Sequence, residues 1–419
     1  MTVLIAGGGI AGLSLALTCH QIGVPCKVIE AAREVKPLGV GINLQPNAVR
    51  ELMELGLGPQ LGQIGICTKA FALYSKMGRL IWEEPRGEAA GYNWPQYSLH
   101  RGKLQMLLFE TALERLGERA ILTGANVVGY ANEPCRVTAK IEHRDGQIEE
   151  LSGSVLIGAD GVHSNVRAQM YPDEGDALWS GNILWRATTR AKPFGNGATM
   201  AMAGHATHKF VTYPISEIDP VTGLADINWI AELSRDKAEG FRREDYSREA
   251  ALEEFLPEFE GWQFDWLNVP KIIRGAERVY EYPMVDRDPL PTWRDGRVSL
   301  MGDAAHVMYP TGSNGASQAI IDARKLGRVF KDRGLNEKAL YAYEDEMRPL
   351  TERTILANRG QGPGYIMEIV EQKCGGNFEK IEDVLSQEEM AAFASKYKAT
   401  AGFPVDNLNA SPPIIPICT

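Results

Sequence analysis

The sequence predicts an α/β (α+β) fold, and three observations support this prediction. Residues 2–6 form a short apolar run typical of a buried strand, and a glycine-rich turn and a helical apolar pattern over 13–22 follow it. Three alternating segments between residues 126 and 151 predict a β-meander. Two later apolar runs, 155–158 and 298–300, lead into Asp-Gly and Gly-Asp turns. We therefore expect a Rossmann-like domain that carries an inserted meander.

The N-terminal turn has the spacing of a dinucleotide-binding site. It matches G-x-G-x-x-G at Gly7, Gly9 and Gly12, and the second predicted strand ends at Glu30, 18 residues after the last glycine. Gly7 permits the tight turn, Gly9 lets the backbone approach a pyrophosphate, and Gly12 lets helix and strand pack closely. The helix N-terminus offers free N–H groups to that anion, and Glu30 can accept hydrogen bonds from ribose hydroxyls. This segment alone does not distinguish NAD from FAD.

The composition argues against several classes of protein. The 419 residues, 44% hydrophobic and 23% charged, are typical of a globular chain of two or three domains. A net charge of −10 without a basic run argues against nucleic-acid binding, and no apolar stretch reaches the roughly 18 residues of a membrane span. None of the six cysteines forms a Cys-x-x-Cys pair, which predicts no metal site and reduced thiols in a cytoplasmic protein.

The segments after the first motif decide the cofactor. A second glycine-rich loop at 38–43 replaces the regular βαβ series of an NAD-dependent dehydrogenase, and no second G-x-G-x-x-G occurs. Three motifs follow one another along the chain, at Gly7 to Gly12, Asp160-Gly161 and Gly302-Asp303. In this order and in these strand–turn–helix contexts they resemble the class A flavoprotein aromatic monooxygenases, the family of para-hydroxybenzoate and salicylate hydroxylases.

The resemblance extends over residues 2–360 and implies FAD as the cofactor. Within the family, segments 38–43, 95–105, 282–291 and 301–318 most resemble the phenazine-modifying members. The residues implied to bind FAD are Gly7, Gly9, Gly12, Glu30, Arg101, Gln105, Asp160, Asp303, Gly315 and Ala316.

The resemblance also implies a role for several of these side chains. Arg101 would contact the pyrophosphate, Gln105 would reach the ribityl chain, and Asp303 would accept hydrogen bonds from the ribityl hydroxyls. The family associates Asp160 with folding around FAD and with the use of NAD(P)H. Arg167 could pair with Asp160 or with Asp303, and a purely structural role for Asp160 and Arg167 stays open.

The loop after the Gly-Asp motif is implied to form the catalytic centre beside the flavin ring. Pro310 would sit near the reacting atoms, and Gly312, Gly315 and Ala316 would offer backbone N–H groups at a helix N-terminus to negative charge on the flavin. The family pattern identifies no obligatory catalytic acid or base, and we expect a structural or flavin-side role for His306.

We expect three parts in the chain. A discontinuous FAD-binding domain comprises 1–70, 96–175 and 277–360, a β-sheet substrate domain comprises 71–95 and 176–276, and a C-terminal helix with a proline-rich tail occupies 361–419. Short helices are expected near 248–256 and over 377–398. The sequence leaves open whether the tail packs back on the protein or forms an oligomer contact.

Three aromatic residues are candidates to face a flat substrate ring. They are Trp185, Tyr213 and Trp229, and each could equally be ordinary sheet core. Arg186 could bind a substrate carboxylate, but strand alternation places it on the face opposite Trp185.

The implied activity is hydroxylation, with or without decarboxylation, of a small electron-rich aromatic or N-heteroaromatic substrate. NADH or NADPH would reduce the FAD, and O2 would then react through a flavin C4a-hydroperoxide. The alternatives are an FAD-dependent oxidoreductase of another reaction class and a non-enzymatic FAD-binding module. Of the motifs that mark other flavin enzymes, neither the Trp-x-Trp-x-Ile-Pro of halogenases nor the Phe-x-Gly-x-x-x-His of Baeyer–Villiger enzymes occurs.

Overall fold

The computed structural model describes residues 1–37, 39–236, 248–360, 362, 364–400 and 404–416, with 394–400 as backbone only. Leu38 of the predicted glycine-rich loop, residues 237–247 of the predicted substrate domain and parts of the predicted tail lie outside the described residues.

Nineteen strands and twelve α-helices make up the described chain. The strands are β1 (Val3–Ala6), β2 (Cys26–Glu30), β3 (Gly41–Leu44), β4 (Gly65–Thr68), β5 (Ala70–Tyr74), β6 (Leu80–Pro85), β7 (Gln96–His100), β8 (Ile121–Thr123), β9 (Ala125–Asn132), β10 (Val137–His143), β11 (Ile148–Gly153), β12 (Val155–Gly158), β13 (Leu178–Ala191), β14 (Thr199–His205), β15 (His208–Pro214), β16 (Ala225–Ser234), β17 (Tyr280–Asp286), β18 (Arg294–Asp295) and β19 (Val298–Leu300). The helices are α1 (Ile10–Gln21), α2 (Pro46–Glu54), α3 (Gly58–Ile64), α4 (Arg101–Leu116), α5 (Asn165–Met170), α6 (Val269–Arg274), α7 (Asp303–His306), α8 (Gly315–Arg333), α9 (Glu337–Asn358), α10 (Gly364–Cys374), α11 (Gln387–Thr400) and α12 (Val405–Ala410).

The predicted Rossmann-like domain is a six-stranded sheet in the order β18-β19-β12-β1-β2-β8. The pairs from β19 to β8 are all parallel, and the two-residue β18 closes one edge in antiparallel fashion. Strands β1 and β12 are buried along their whole length, as their continuous apolar sequences predict. The predicted meander is present as a separate three-stranded sheet, β11-β10-β9. The α/β prediction is therefore confirmed.

A second large sheet has seven strands, in the order β17-β13-β16-β15-β14-β5-β6. Strands β5 and β6, from the first predicted substrate segment, lie at one end of it. Strand β17 pairs with β13 at the other end, so the chain leaves this sheet only after residue 286. The substrate sheet is thus longer than the boundary at residue 276 predicted. A further small sheet, β3-β7-β4, lies at the join between the two parts.

One expected helix is absent as an α-helix, and another starts later than expected. Residues 252–254 and 256–259 form short 3-10 turns, because Pro257 disfavours the α-conformation at the residue before it. The helix expected over 377–398 begins only at Gln387. A capping box sets that start: Ser386 and Glu389 each bond the other's backbone N–H, at 3.1 and 2.8 Å.

The described part of the C-terminal tail packs back on the FAD-binding part. Helix α12 and the following residues lie over a buried ion cluster of Arg50, Glu51 and Arg324. Arg324 donates to the carbonyl of Ile415 at 2.6 Å, and the N–H of Ile414 donates to Glu51 at 3.0 Å. Backbone groups of the tail therefore satisfy charges that would otherwise be buried without partners.

Within the described residues, no helix is long and apolar enough to cross a membrane. In the same part of the chain, no three His, Cys, Asp or Glu side chains are arranged to hold a metal ion.

Candidate active site

The glycine turn between β1 and α1 combines close packing with one open position. Gly7 has φ +103°, and a Cβ there would lie 2.4 Å from the carbonyl oxygen of Ala159. A Cβ at Gly12 would lie 2.0 Å from the carbonyl oxygen of Gly7. At Gly9, by contrast, a Cβ would meet no atom within 4 Å. Gly7 and Gly12 are therefore needed for the turn itself, and Gly9 leaves the space that an approaching phosphate needs.

Two polar side chains brace this turn. The Glu30 carboxylate accepts from the N–H of Gly8 at 2.6 Å and from that of Ala32 at 2.7 Å. Gln105, one turn into α4, donates to the carbonyl of Gly8 at 3.1 Å. Both side chains thus contact the backbone of the turn, and their contacts with the ribose and the ribityl chain stay predictions.

The Gly-Asp motif meets the first motif directly. A Cβ at Gly302 would lie 3.0 Å from the Cβ of Ala11, so the start of α7 sits against the start of α1. Asp303, the first residue of α7, is exposed. A fixed carboxylate close to the N-terminus of α1 suits a polyol donor such as the ribityl chain.

His306 lies behind this motif, in the interior. It is 1% exposed, and its Nε2 lies 2.5 Å from Oδ2 of Asp322, which also accepts from the N–H of Gly302 at 3.0 Å. Burial opposes a charge on the imidazole, but the Asp322 carboxylate outweighs it and raises the pKa of His306 above its ordinary value. The imidazole therefore helps to hold the turn that presents Asp303.

The mid-chain Asp-Gly motif serves a local role. Asp160 accepts from the Ser164 hydroxyl at 2.5 Å and from the N–H of Val166 at 3.3 Å, and so fixes the start of α5. Burial raises the pKa of its carboxyl. Because its carboxylate is engaged by its own turn, a direct contact of Asp160 with FAD stays a prediction.

Arg167 pairs with neither of the two expected aspartates. It forms an ion pair with Glu174 and donates to the carbonyls of Ala304 and Ala305 at 3.0 and 3.2 Å. Its guanidinium thereby ties α5 to α7. The expected pairing was wrong because the partner lies in the loop that follows α5, which carries no motif.

The loop from Tyr309 to Asn314 is held from the C-terminal end of α9. The hydroxyl of Thr311 donates to the carbonyl of Asn358 at 3.2 Å, and a Cβ at Gly312 would lie 3.0 Å from Oδ1 of Asn358. Pro310 and Gly312 form one 3-10 turn, after which Gly315 and Ala316 open α8. The first N–H groups of a helix have no intrahelical acceptor, so those of α8 are available to an anion.

The other wall of this site comes from the second glycine-rich loop. The N–H of Arg101 donates to the carbonyl of Val40 at 2.9 Å, and the exposed Arg101 side chain lies against Gly39. The hydroxyl of Ser317, in the first turn of α8, accepts from the N–H of Gln45 at 3.0 Å. The two loops are therefore joined at the start of α8.

The residues of this site fit FAD. The open position at Gly9, the Glu30 carboxylate and the exposed Arg101 suit a nucleotide with a pyrophosphate, and Asp303 and the start of α8 suit a ribityl chain and an electron-rich ring. When FAD is bound, it supplies reduction by a nicotinamide and the activation of O2.

The seven-stranded sheet has two different faces. Trp185 and Trp229 lie on the outer face, where Trp185 stacks on Phe255 with ring centroids 4.9 Å apart. The expectation that these tryptophans face a substrate ring is wrong, because residues 250–279 cover that side of the sheet. Tyr213 lies on the inner face, in one apolar cluster with Tyr309.

Two residues that join the sheet to the flavin-side loops were missed from the sequence. Asn228 is fully buried, and its Oδ1 accepts from the N–H of Gly41 at 2.6 Å. Arg359, at the end of α9, donates to Asp286 at 2.6 Å and to Asp288 at 2.7 Å. Burial raises the pKa of Asp286, although Arg359 opposes this shift. Both links span more than 70 residues of chain, so no local pattern marks them.

Comparison with known proteins identifies the family. The model of an FAD binding domain matches residues 1–357. The phenazine 1,6-dicarboxylic acid hydroxylase of Lysobacter antibioticus is 42% identical over 85% of this chain and 89% of its own length. A 3-hydroxybenzoate 6-hydroxylase of Aquipseudomonas alcaligenes is 34% identical over 77% of this chain and 78% of its own.

Solved structures share the fold. A salicylate hydroxylase substrate complex superimposes with a TM-score of 0.71 at 21% identity, covering 98% of this chain and 97% of that one. Klebsiella pneumoniae HpxO, complexed with FAD and uric acid, gives a TM-score of 0.70 at 20% identity, covering 98% and 95%. With the sequence relatives, these findings confirm the resemblance that the three motifs predicted. The chain belongs to the FAD-binding-domain family and is an FAD-dependent hydroxylase of aromatic compounds.

Proposed function

We propose that this enzyme uses NAD(P)H and O2 to hydroxylate a flat, fused-ring N-heteroaromatic acid of the phenazine carboxylate type. The observation that carries the proposal is the inner face of the seven-stranded sheet. Its apolar side chains pack in one cluster with Tyr309, the neighbour of Pro310, and its strand β16 bonds the Gly41 loop through Asn228. A ring held on this face would lie beside the loop implied to hold the flavin ring.

The inner face is suited to a ring of this kind. Tyr213, Met202, Val211 and Met284 form an aromatic and thioether cluster with Ile366, Met367 and Val370 of α10, and the flexible Met side chains could adjust to a flat apolar ring beside it. Burial raises the pKa of Tyr213 to about 12, so its hydroxyl stays neutral and able to donate a hydrogen bond. An apolar wall also excludes water, which limits wasteful loss of activated oxygen.

The similarity to the Lysobacter antibioticus phenazine hydroxylase supports a fused ring over a single one. A hydroxybenzoate is the second candidate, because a relative 34% identical acts on 3-hydroxybenzoate by its name.

The test is aerobic NAD(P)H consumption by the FAD-loaded enzyme, with product mass measured in parallel. The panel pairs phenazine-1-carboxylate and phenazine-1,6-dicarboxylate with 3-hydroxybenzoate and salicylate. We expect a phenazine acid to accelerate consumption and to give a product heavier by one oxygen atom, or one with a carboxyl replaced by a hydroxyl. Stimulation by the single-ring acids alone would overturn the fused-ring assignment.

We further propose that Asp303 holds the ribityl chain. Replacing Asp303 by Ala removes a carboxylate acceptor and should leave most of the purified protein without flavin, measured as the ratio of absorbance at 450 and 280 nm. Asp332→Ala, at the exposed end of α8, is the matched control. Full flavin occupancy in Asp303→Ala would contradict the ribityl role.

We also propose that the enzyme works in the cytoplasm, where NAD(P)H is supplied. The free state of the five described cysteines, at 19, 26, 67, 135 and 374, agrees with a reducing compartment.

A further inference from the structure

The inner face of the seven-stranded sheet carries three buried polar atoms that have no hydrogen-bond partner. They are Nε of Arg186, Oγ1 of Thr188 and Nδ2 of Asn228. Arg186 and Thr188 are two residues apart on β13 and so share a face, and Thr188 lies directly opposite Asn228 on β16. Most buried polar groups in folded proteins are paired, so three unpaired ones side by side indicate a missing partner.

The orientation of the Asn228 amide is fixed by the Gly41 loop. Its Oδ1 accepts from the N–H of Gly41 at 2.6 Å, which leaves the NH2 group to donate towards the Tyr213 hydroxyl or a ligand. Arg186 reaches the same glycine, with Nη2 3.4 Å from the carbonyl oxygen of Gly41. The unpaired donors therefore gather where the sheet meets the loop beside the flavin site.

The charge of Arg186 is not neutralised by the described part of the protein. Within it, no carboxylate forms an ion pair with Arg186, and its guanidinium lies 5.2 Å from the ring centroid of Tyr282. Burial lowers the pKa of Arg186, and the nearby Arg101 adds to this effect. A guanidinium nevertheless keeps its proton in proteins, so a buried positive charge remains.

Arg190, on the same strand, is an arginine whose charge is paired, and it serves as a comparison for Arg186. It lies four residues further along β13, on the same face, and it is paired with Asp219 at 3.1 Å and Asp226 at 3.3 Å. Both acids come from the substrate sheet or its loop. The lack of such a partner at Arg186 is therefore specific to the buried position next to Gly41.

From these observations we propose that Arg186, with Asn228 and Thr188, binds the carboxylate of the substrate and selects acids over their neutral analogues. This inference rests on the proposed function, because it assumes that the substrate lies on the inner face. A planar guanidinium fork matches a carboxylate, and the Asn228 amide and the Thr188 hydroxyl can donate to its remaining lone pairs. The ring would then extend along the apolar part of the face, towards Tyr213 and Tyr309.

The test compares an acid with its amide at equilibrium, without NAD(P)H, so that turnover is not required. Binding of phenazine-1-carboxylate and phenazine-1-carboxamide, and of 3-hydroxybenzoate and 3-hydroxybenzamide, is followed by perturbation of the flavin absorbance of the FAD-loaded enzyme. In at least one pair we expect the acid to bind about tenfold to a hundredfold more tightly, the range expected for hydrogen bonds to a charged group.

Three variants test whether Arg186 is responsible for the tighter binding of the acid. Arg186→Met should reduce the acid-to-amide ratio to within about twofold, Arg186→Lys should keep part of it, and the control Arg190→Met should leave it unchanged. A ratio near one in the unaltered enzyme, a ratio that survives Arg186→Met, or no perturbation by either pair would overturn the proposal. Flavin lost from Arg186→Met but kept by Arg186→Lys would assign the charge to the cofactor, and would overturn it as well.

Failure of the proposed function gives a different result. The acid would then bind with its preference dependent on Arg186, but NAD(P)H and O2 would yield no oxygenated product.

Discussion

The two faces of the seven-stranded sheet are both buried, but they differ in chemistry. On the outer face, Trp229 donates its indole N–H to the Thr189 hydroxyl at 2.9 Å, which in turn donates to the carbonyl of Ile272 at 2.7 Å. On the inner face, Arg186, Thr188 and Asn228 each keep an atom without a partner. The outer face also keeps two such atoms, Nε1 of Trp185 and Nε2 of His208, but on the inner face the three lie together and one of them belongs to a charged side chain. This grouping of charged and polar donors is what favours the inner face as the substrate side in our proposal.

The largest expected effect on stability comes from removing a packed side chain on the outer face. Trp229→Ala removes a side chain with 0% exposure from the cluster that residues 250–279 cover. It should lower the free energy of unfolding by about 3–5 kcal/mol, because a cavity replaces a packed indole. Urea unfolding of the FAD-loaded protein measures this. The acid-to-amide binding ratio of the folded fraction should stay unchanged, and a lost ratio would mean that the two faces are not independent.

A second comparison is between Arg324, which is paired with a carboxylate, and Arg186, which has no described carboxylate partner. Arg324 donates to Oε2 of Glu51, to Gln21 and to the carbonyl of Ile415. Arg324→Met should lower the free energy of unfolding by about 1–3 kcal/mol, because these buried acceptors lose their donor while Arg50 stays paired with Oε1 of Glu51. Arg186→Met strands no described carboxylate and should change stability by less than about 1 kcal/mol, or increase it. Both are measured by urea unfolding without substrate. An Arg186→Met protein as unstable as Arg324→Met would show that Arg186 has a structural partner.

An effect of similar size is expected where the inner face meets the flavin-side loop. In Gly41→Ala the new Cβ would lie 2.6 Å from the Cβ and Cγ of Asn228 and would force the loop off the sheet. We expect a loss of about 1–3 kcal/mol in stability and weaker binding of aromatic acids. Gly261→Ala is the control, because its Cβ would meet no atom within 4 Å. Unaltered acid binding in Gly41→Ala would separate this loop from the substrate site.

The smallest effect is a pH dependence from the buried pair His306–Asp322. Because the folded state raises the pKa of His306, its contribution to stability is fully present below the ordinary pKa of 6.5 and is lost as the pH rises through the folded-state pKa. The slope is at most about 1.4 kcal/mol per pH unit for one proton. Asp322→Asn should flatten the dependence of unfolding free energy on pH above 6.5. An unchanged slope would show that another group titrates there.

Much of the nucleotide site could be predicted from the sequence, because its motifs are local. Gly7, Gly9 and Gly12 need fixed spacings within one turn, and in the structure Glu30 and Gln105 bond that turn while Gly302, next to Asp303, lies against Ala11. Strand alternation also placed Trp185 and Arg186 on opposite faces correctly. Arg167 was misjudged because Glu174 lies in a loop without a motif.

The sequence could not tell which face of the sheet is covered by residues 250–279 and which packs with Tyr309. Both faces of β13 are buried, and the choice depends on where residues 250–279 and Tyr309 pack, which are long-range contacts. The contact of Asn228 with Gly41 joins positions 187 residues apart, and neither residue stands in a pattern that predicts it.

The most direct test of the whole account uses 18O2 with the FAD-loaded enzyme, NAD(P)H and the aromatic acid that binds most tightly. The account predicts one 18O atom in the hydroxylated product of the acid, and little or no product from the matching amide. Reduction of the cofactor with all of the 18O2 released as hydrogen peroxide, or an amide hydroxylated as fast as the acid, would contradict it.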